Sequence, residues 1–298
     1  MARVLITGAN GFTGRHLVDR LARDGHELFS LARREDEHGS PQIARAWVAD
    51  LRDPAALNAM VAEVRPQRVF HLAAIANVAH ADVADLYESN IIGTRNLLQA
   101  LTACAADLQA VLITSSANVY GNRAGILTED MVPAPANDYG VTKVACEHLA
   151  IVYADRLPIV TVRPFNYTGR GQSTDFLIPK IIAHVRRRAP SIELGNTNVA
   201  RDFSDVRAVV DAYARLLECP AAVGQLFNVC SGRAHALAEV LAIAEQISGH
   251  SLAVHTNPAF VRANDVTSLC GSRVKLEEAI GPVPNPGLAE TIGWMLDD

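Results

Sequence analysis

Tyr139 and Lys143 in "YGVTK" are four residues apart, so a helix places both on one face. That pair suits proton transfer. A phenol gives or takes the proton, and an adjacent ammonium favours phenolate, predicting a pKa below the ordinary value of about 10. Upstream, "ITSSANVYG" offers two hydroxyls, Ser115 and Ser116, at the end of an apolar run. Near the amino terminus, "ITGANGFTG" sets Gly8, Gly11 and Gly14 between an apolar run and a helical pattern. Glycine there permits a tight turn, close approach of backbone to a pyrophosphate, and close helix–strand packing. The start of the helix adds free N–H groups and a positive dipole end. These groups predict proton transfer beside a bound dinucleotide.

The elements that must position them alternate. "RVLITG", "ELFSLA", "ARAWVAD", "QRVFHLAA", "QAVLITSS" and "LPIVTVRP" read as six short strands, apolar nearly throughout, as when both faces of a parallel sheet are covered. Helical patterns separate them, including one over 83–106 and one over 138–156. The alternation predicts an α/β fold with a Rossmann-type doubly wound parallel sheet. After Pro164 the chain turns to loops rich in Gly, Asn, Thr and Pro, predicting a smaller substrate lobe. The expected division is 1–165 for the nucleotide domain and 166–298 for the lobe, with a return to the first around 203–232.

The whole chain sets bounds. Its 298 residues can bury a sizeable core, and 49% hydrophobic with 20% charged residues is ordinary for a globular protein. A formal charge of −5 argues against a broad nucleic-acid surface. Five cysteines (Cys104, Cys146, Cys219, Cys230, Cys270) never fall in C-x-x-C spacing, which suits reduced thiols and argues against a metal site. No run approaches the roughly 18 apolar residues of a membrane helix. "MARVLITG" enters a strand pattern at once, and a soluble cytoplasmic protein is expected.

The glycine spacing G-x-x-G-x-x-G, followed by "SSANVYG" and "YGVTK" in that order, resembles the extended short-chain dehydrogenase/reductase family over nearly the whole chain. The resemblance implies a catalytic set in which Ser116 binds the substrate carbonyl, Tyr139 transfers the proton, and Lys143 holds the nicotinamide ribose. Ser115 would then support the backbone. It assigns Asp50 in "VADLRD" to the adenine amine, and Leu72, Ala73 and Ala74 of "HLAAIA" to the cofactor lining, with His71 structural. Asn90 of "SNIIGTRNLL" would brace the active-site loop. Phe12, Thr13, Leu51, Thr114 and Pro164 complete the implied cofactor contacts. Family members that dehydrate nucleotide sugars carry two carboxylates directly after the catalytic hydroxyl. Ala117 and Asn118 stand there instead, which argues against dehydration.

In "SLARRED", Ala32 stands where a carboxylate would hold the ribose hydroxyls, and Arg33 and Arg34 follow. Loss of the carboxylate removes repulsion of a 2′-phosphate, and the arginines can pair with it, which favours NADP(H) and leaves NAD(H) open as well. Asn166 in "VRPFNYTGRGQ", Arg201 in "ARDFSDVR", and Arg262 with Asp265 in "FVRANDV" resemble the family's clamp for a nucleotide diphosphate sugar. A plainer reading pairs Arg201 with Asp202 and Arg262 with Asp265. The combination is most similar to the branch that reduces the C4 ketone of GDP-4-keto-6-deoxy-D-mannose. Tyr167, Arg170 and Ala263 depart from that branch, so the sugar and the face of hydride attack stay open. The alternatives are a dTDP-sugar reductase, a nucleotide-sugar 4-epimerase that retains NAD, and a silent NADP-binding protein. The helices over 83–106 and 138–156 match those that pair in family dimers, implying a homodimer.

Overall fold

The computed structural model describes residues 1–34, 40–76, 81–260 and 267–297. Five strands come early: β1 (Arg3–Thr7), β2 (Glu27–Ala32), β3 (Ile43–Val48), β4 (Arg68–His71) and β5 (Ala110–Thr114). Then come β6 (Gly125–Leu127), β7 (Ile159–Pro164), β8 (Asn166–Thr168), β9 (Ser191–Leu194) and β10 (Ala200–Asp205). The last are β11 (Leu226–Val229), β12 (Ala234–Ala236), β13 (Ala253–Thr256) and β14 (Ser268–Gly271). The α-helices are α1 (Phe12–Arg23), α2 (Pro54–Val64), α3 (Val83–Tyr87), α4 (Gly93–Cys104) and α5 (Asp138–Tyr153). They continue with α6 (Leu177–Arg186), α7 (Val206–Glu218), α8 (Leu237–Ser248), α9 (Val274–Ile280) and α10 (Leu288–Leu296).

Seven strands form one parallel sheet in the order β11-β7-β5-β4-β1-β2-β3. The chain runs outward from β1 to β3, then starts again at β4 and runs the other way. Strand order therefore reverses between β1 and β4, and a crevice opens there at the carboxyl ends. The central strands are largely apolar because alternate side chains enter two cores. Val4 and Ile6 of β1 pack with Leu17 and Leu21 of α1 and Val209 and Tyr213 of α7. Leu5 packs on the opposite face with Leu57 of α2, Leu97 and Leu101 of α4, and Ala150 of α5.

All six expected strands are present. The seventh, β11, pairs with β7 after the chain has passed through α7. β3 departs from the expectation of two covered faces: it is an edge strand, largely exposed or half-buried. The single helix expected over 83–106 is three pieces, α3, a π-helical turn over Glu88–Ile92, and α4. One extra residue per turn re-aims the side chains there, and such turns gather at functional sites.

Residues beyond β7, together with β6, build smaller sheets. β12-β10-β14-β6 is one, with β8 added beside β10, and β13-β9 is another. Ile181 and Val185 of α6, Val240 of α8 and Ile292 of α10 share a separate core. No helix among the described residues is long and apolar enough to cross a membrane.

Candidate active site

The glycine motif forms the turn between β1 and α1 at the strand reversal. Gly8 has φ +76°, and a Cβ there would lie 2.8 Å from the Ala73 nitrogen. Only glycine allows β1 and the segment after β4 to approach so closely. Gly11 is the N-cap of α1 and offers no side chain, so the N–H groups of the first turn, beginning at Phe12, Thr13 and Gly14, receive no side-chain cap. Uncapped donors at a helix start, reached over a glycine floor, fit a pyrophosphate.

Around this turn lie the other expected cofactor residues. Leu72 donates its N–H to the Thr7 carbonyl, 3.2 Å, with Ala73 and Ala74 following it. Leu51 is half-buried, and its carbonyl accepts from Asn96 Nδ2 at 3.1 Å. Asp50 lies just past β3, and both its oxygens accept from the Arg52 guanidinium at 3.0 and 2.8 Å. These hydrogen bonds hold its carboxyl below the usual carboxylate range, and Arg33 adds to the effect. Arg33 and Arg34 follow β2 and are exposed.

Ser116, Tyr139 and Lys143 converge from the end of β5 and from α5, and all three are buried. Gly140 lets α5 approach: a Cβ there would sit 2.8 Å from the Asn118 carbonyl oxygen. Lys143 Nζ donates to the Thr114 carbonyl at 2.8 Å and stands 5.8 Å from the centre of the Tyr139 ring. Burial pushes the Tyr139 phenol up to about 12, and a hydrogen bond with Ser116 opposes the rise. This corrects the expected lowering. Lys143 is committed to Thr114, and burial lowers its own pKa, so desolvation decides the phenol. The phenol is protonated at neutral pH.

Asn90, in the π-helical turn, bonds both to the segment after β4 and to α5. Its Oδ1 accepts from the Ile75 N–H at 2.8 Å, while Nδ2 donates to the Ile75 carbonyl and to Thr142 Oγ1, each at 3.1 Å. His71 is structural. Thr94 Oγ1 donates to the Asn90 carbonyl, so it accepts from His71 Nε2–H at 2.9 Å, and His71 Nδ1 accepts from Thr7 Oγ1 at 2.8 Å. Burial, with Lys143 nearby, drops its pKa to about 3, and the ring is neutral.

Sequence reasoning missed what stands behind the triad. Ser115 does more than support the backbone: its hydroxyl donates to Glu147 Oε1 at 2.6 Å. Arg163 closes the same carboxylate with Nε and Nη2 at 2.7 and 2.8 Å. Also missed was Tyr167. It stacks on Phe12 at 5.9 Å between ring centroids and shares a 2.7 Å hydrogen bond with Thr13 Oγ1. His16 and Arg15 of α1 hold the carbonyls of Arg170 and Gly171, each at 2.9 Å. The segment after β8 is thereby stapled across the start of α1. A glycine-rich stretch with an aromatic at its head was the available signal.

The substrate-side residues are less assembled. Pro164 ends β7 opposite Val229, and Asn166 in β8 is exposed. Arg201 is half-buried in β10, with Nη1 donating to the Ala200 carbonyl at 2.8 Å. The Asp202 carboxylate is taken up by the Ser231 and Gly232 N–H groups at 2.7 and 3.0 Å. Arg262 and Asp265 lie outside the described residues. Among those residues, no three His, Cys, Asp or Glu side chains are grouped to hold a metal ion.

Comparison with known proteins agrees with this geometry. Residues 4–230 match the NAD dependent epimerase/dehydratase family. The chain is 30% identical to GDP-6-deoxy-D-talose 4-dehydrogenase of Aggregatibacter actinomycetemcomitans, covering 94% of this chain and 91% of that one. It is 32% identical to GDP-6-deoxy-D-mannose reductase of Pseudomonas aeruginosa, covering 99% and 96%. Among solved structures, a Burkholderia cenocepacia protein described as a candidate epimerase is 48% identical, with TM-score 0.94 over 99% of this chain and 97% of that one. RMD from Pseudomonas aeruginosa complexed with NADPH is 30% identical, with TM-score 0.86 over 100% and 97%. MoeE5 in complex with UDP-glucose and NAD is also 30% identical, with TM-score 0.89 over 99% and 97%. The chain belongs to the NAD dependent epimerase/dehydratase family, within the extended short-chain dehydrogenases/reductases.

Proposed function

We propose that the protein reduces the C4 ketone of a nucleotide-activated 4-keto-6-deoxyhexose at the expense of NADPH, with GDP-4-keto-6-deoxy-D-mannose the favoured substrate. The product is GDP-D-rhamnose or its C4 epimer, GDP-6-deoxy-talose. One feature carries the direction: Ala32 stands where a carboxylate would repel a 2′-phosphate, and exposed Arg33 and Arg34 follow it, which favours NADPH, a reductant that is consumed.

Gly8, Gly11, Phe12, Thr13 and Gly14 would hold the pyrophosphate, and Asp50 and Leu51 the adenine end. Arg33 and Arg34 would take the 2′-phosphate, with no carboxylate at Ala32 to repel it. Leu72, Ala73, Ala74, Thr114 and Pro164 would line the remainder of the cofactor site. NADPH held by these residues would supply the hydride for C4, becoming NADP+. The chain supplies everything else. Ser116 donates a hydrogen bond to the ketone oxygen, and Tyr139 gives that oxygen its proton as the C=O bond becomes an alcohol. Lys143, held by Thr114, fixes the ribose and offsets charge on the phenolate that remains. Ala117 and Asn118 cannot act as the acid–base pair that loss of water needs. Asn166, Arg201, Arg262 and Asp265 would clamp the diphosphate sugar. In this reading residues 1–165 form the nucleotide domain, α7 and β11 rejoin it, and the remainder forms the substrate lobe. Ile151 and Val152 of α5 are exposed, which supports a homodimer through α4 and α5.

Two GDP-sugar relatives at about 30% identity support the base and the sugar class. The similarity to the Burkholderia cenocepacia candidate epimerase, and to MoeE5 with its bound NAD, keeps a second reading, an NAD-dependent 4-epimerase. The test supplies NADPH with GDP-4-keto-6-deoxy-mannose or dTDP-4-keto-6-deoxy-glucose and follows absorbance at 340 nm. Stoichiometric oxidation with the GDP sugar is expected. Oxidation with neither contradicts the reading.

A further inference from the structure

We propose that Asn137 and Asn118 are positioning residues that give Ser116 a single hydrogen-bond direction, turning its one proton away from Asn118 and into the catalytic site. The inference rests on the ketoreductase reading for its kinetic consequence, and on geometry alone for the direction.

The direction is set by a backbone N–H, which can only donate. Asn137 is the N-cap of α5, and its Oδ1 accepts from the Gly140 N–H at 2.8 Å. With the oxygen committed, Asn137 presents its NH2, and Nδ2 donates to Asn118 Oδ1 at 3.3 Å. Asn118 in turn must offer Nδ2, which donates to Ser116 Oγ at 3.1 Å. The Asn118 backbone N–H donates to the same oxygen, also at 3.1 Å. A serine hydroxyl has two acceptor lone pairs and one proton. Both lone pairs of Ser116 are used, so its proton must point away from Asn118. Tyr139 is the buried phenol that shares the site with Ser116. With the ketone bound, the one Ser116 proton is offered to the ketone oxygen, and Tyr139 keeps its own proton to give. Hydrogen bonds aligned in one sense polarise one another, and each donor strengthens the next.

The site therefore needs no carboxylate beside Ser116, and a carboxylate there would reverse it. Asn118→Asp keeps the shape and accepts the Asn137 bond, but its second oxygen can only accept. Ser116 would then turn its proton toward the new carboxylate. Protonating that carboxylate restores a donor, so activity of the variant rises as pH falls. The titratable groups facing Tyr139 are Cys146 on the same helix, Tyr167 of β8 and Tyr213 of α7, all with raised pKa values. They stay uncharged through neutral pH, and Lys143 is common to both proteins. A new acid limb therefore reports the introduced carboxylate.

Two measurements test this. Neutron diffraction from deuterium-exchanged crystals of the wild-type protein reads the direction without any substrate. A deuteron on Ser116 Oγ directed away from Asn118, with both Asn118 N–D groups on Ser116, is expected; a Ser116 deuteron pointing at Asn118 overturns the proposal. In steady-state assays with NADPH and GDP-4-keto-6-deoxy-mannose, Asn118→Asp should lose about 100-fold in kcat at neutral pH. It should regain activity toward pH 5, with KM for the sugar within about threefold of wild type. Asn118→Ala, which keeps the backbone donor, should lose about tenfold with no new limb. A wild-type kcat and pH profile in Asn118→Asp overturns the proposal. Failure of the wild-type protein to use the sugar counts against the functional reading instead, and the neutron result still decides the direction.

Discussion

The nucleotide-side region and the substrate-side region of this molecule are built differently. The first is over-determined. Gly8 cannot be another residue without meeting Ala73, Lys143 is buried on Thr114, and Glu147 is closed by Arg163 and Ser115. The second, in the proposed reading, would draw on Asn166, Arg201 and Arg262, separated in sequence, and the first of these is exposed. A reaction common to a whole family needs atoms held in one arrangement, whereas the sugar and base are chosen by loops that can vary. Substitutions in the first region should therefore abolish chemistry or stability. Those in the second should move affinity and selectivity.

The largest effect tests the first half of that contrast. Tyr139→Phe removes the acid and should lower kcat by about 10²–10⁴-fold while the NADPH dissociation constant stays within about threefold, read by steady-state kinetics and fluorescence titration. Glu147→Gln should come next, through stability. It breaks a buried ion pair and weakens the Ser115 bond, and urea unfolding should report a loss of about 3–5 kcal/mol. On the substrate side, Arg201→Ala should raise KM for the nucleotide sugar about tenfold with kcat within about threefold, because a charge-assisted hydrogen bond to the diphosphate serves ground state and transition state alike. The smallest effect lies at the cofactor's edge. Arg33→Ala with Arg34→Ala should raise the Michaelis constant for NADPH several-fold and leave that for NADH nearly unchanged; equal changes would show that exposed arginines do not read the phosphate.

Much of the first region was legible in sequence because its signals are short-range. Gly8, Gly11 and Gly14 fall within one turn, and Tyr139 and Lys143 within one helical repeat, so spacing alone places them. Helices cover both faces at the centre of the sheet, so its central strands are mostly apolar, while β3 at the edge is not. The missed features are tertiary. Asn137 meets Asn118 across 19 residues, Arg163 meets Glu147 across 16, and Thr13 meets Tyr167 across 154. The π-helical turn at Asn90 was hidden for a similar reason, since its apolar pattern continues that of the helices on either side. The direction of the Tyr139 shift was misjudged because sequence shows the neighbouring ammonium but not the burial that outweighs it.

The central claim is net reduction at C4 rather than oxidation and re-reduction by a retained cofactor. The most direct measurement uses NADPH deuterated at the transferring position, with GDP-4-keto-6-deoxy-mannose and the protein as purified. The product should carry one deuterium at sugar C4 for each NADPH consumed. NAD tightly bound in the purified protein, with no deuterium in the sugar and no NADPH consumed, would contradict the account.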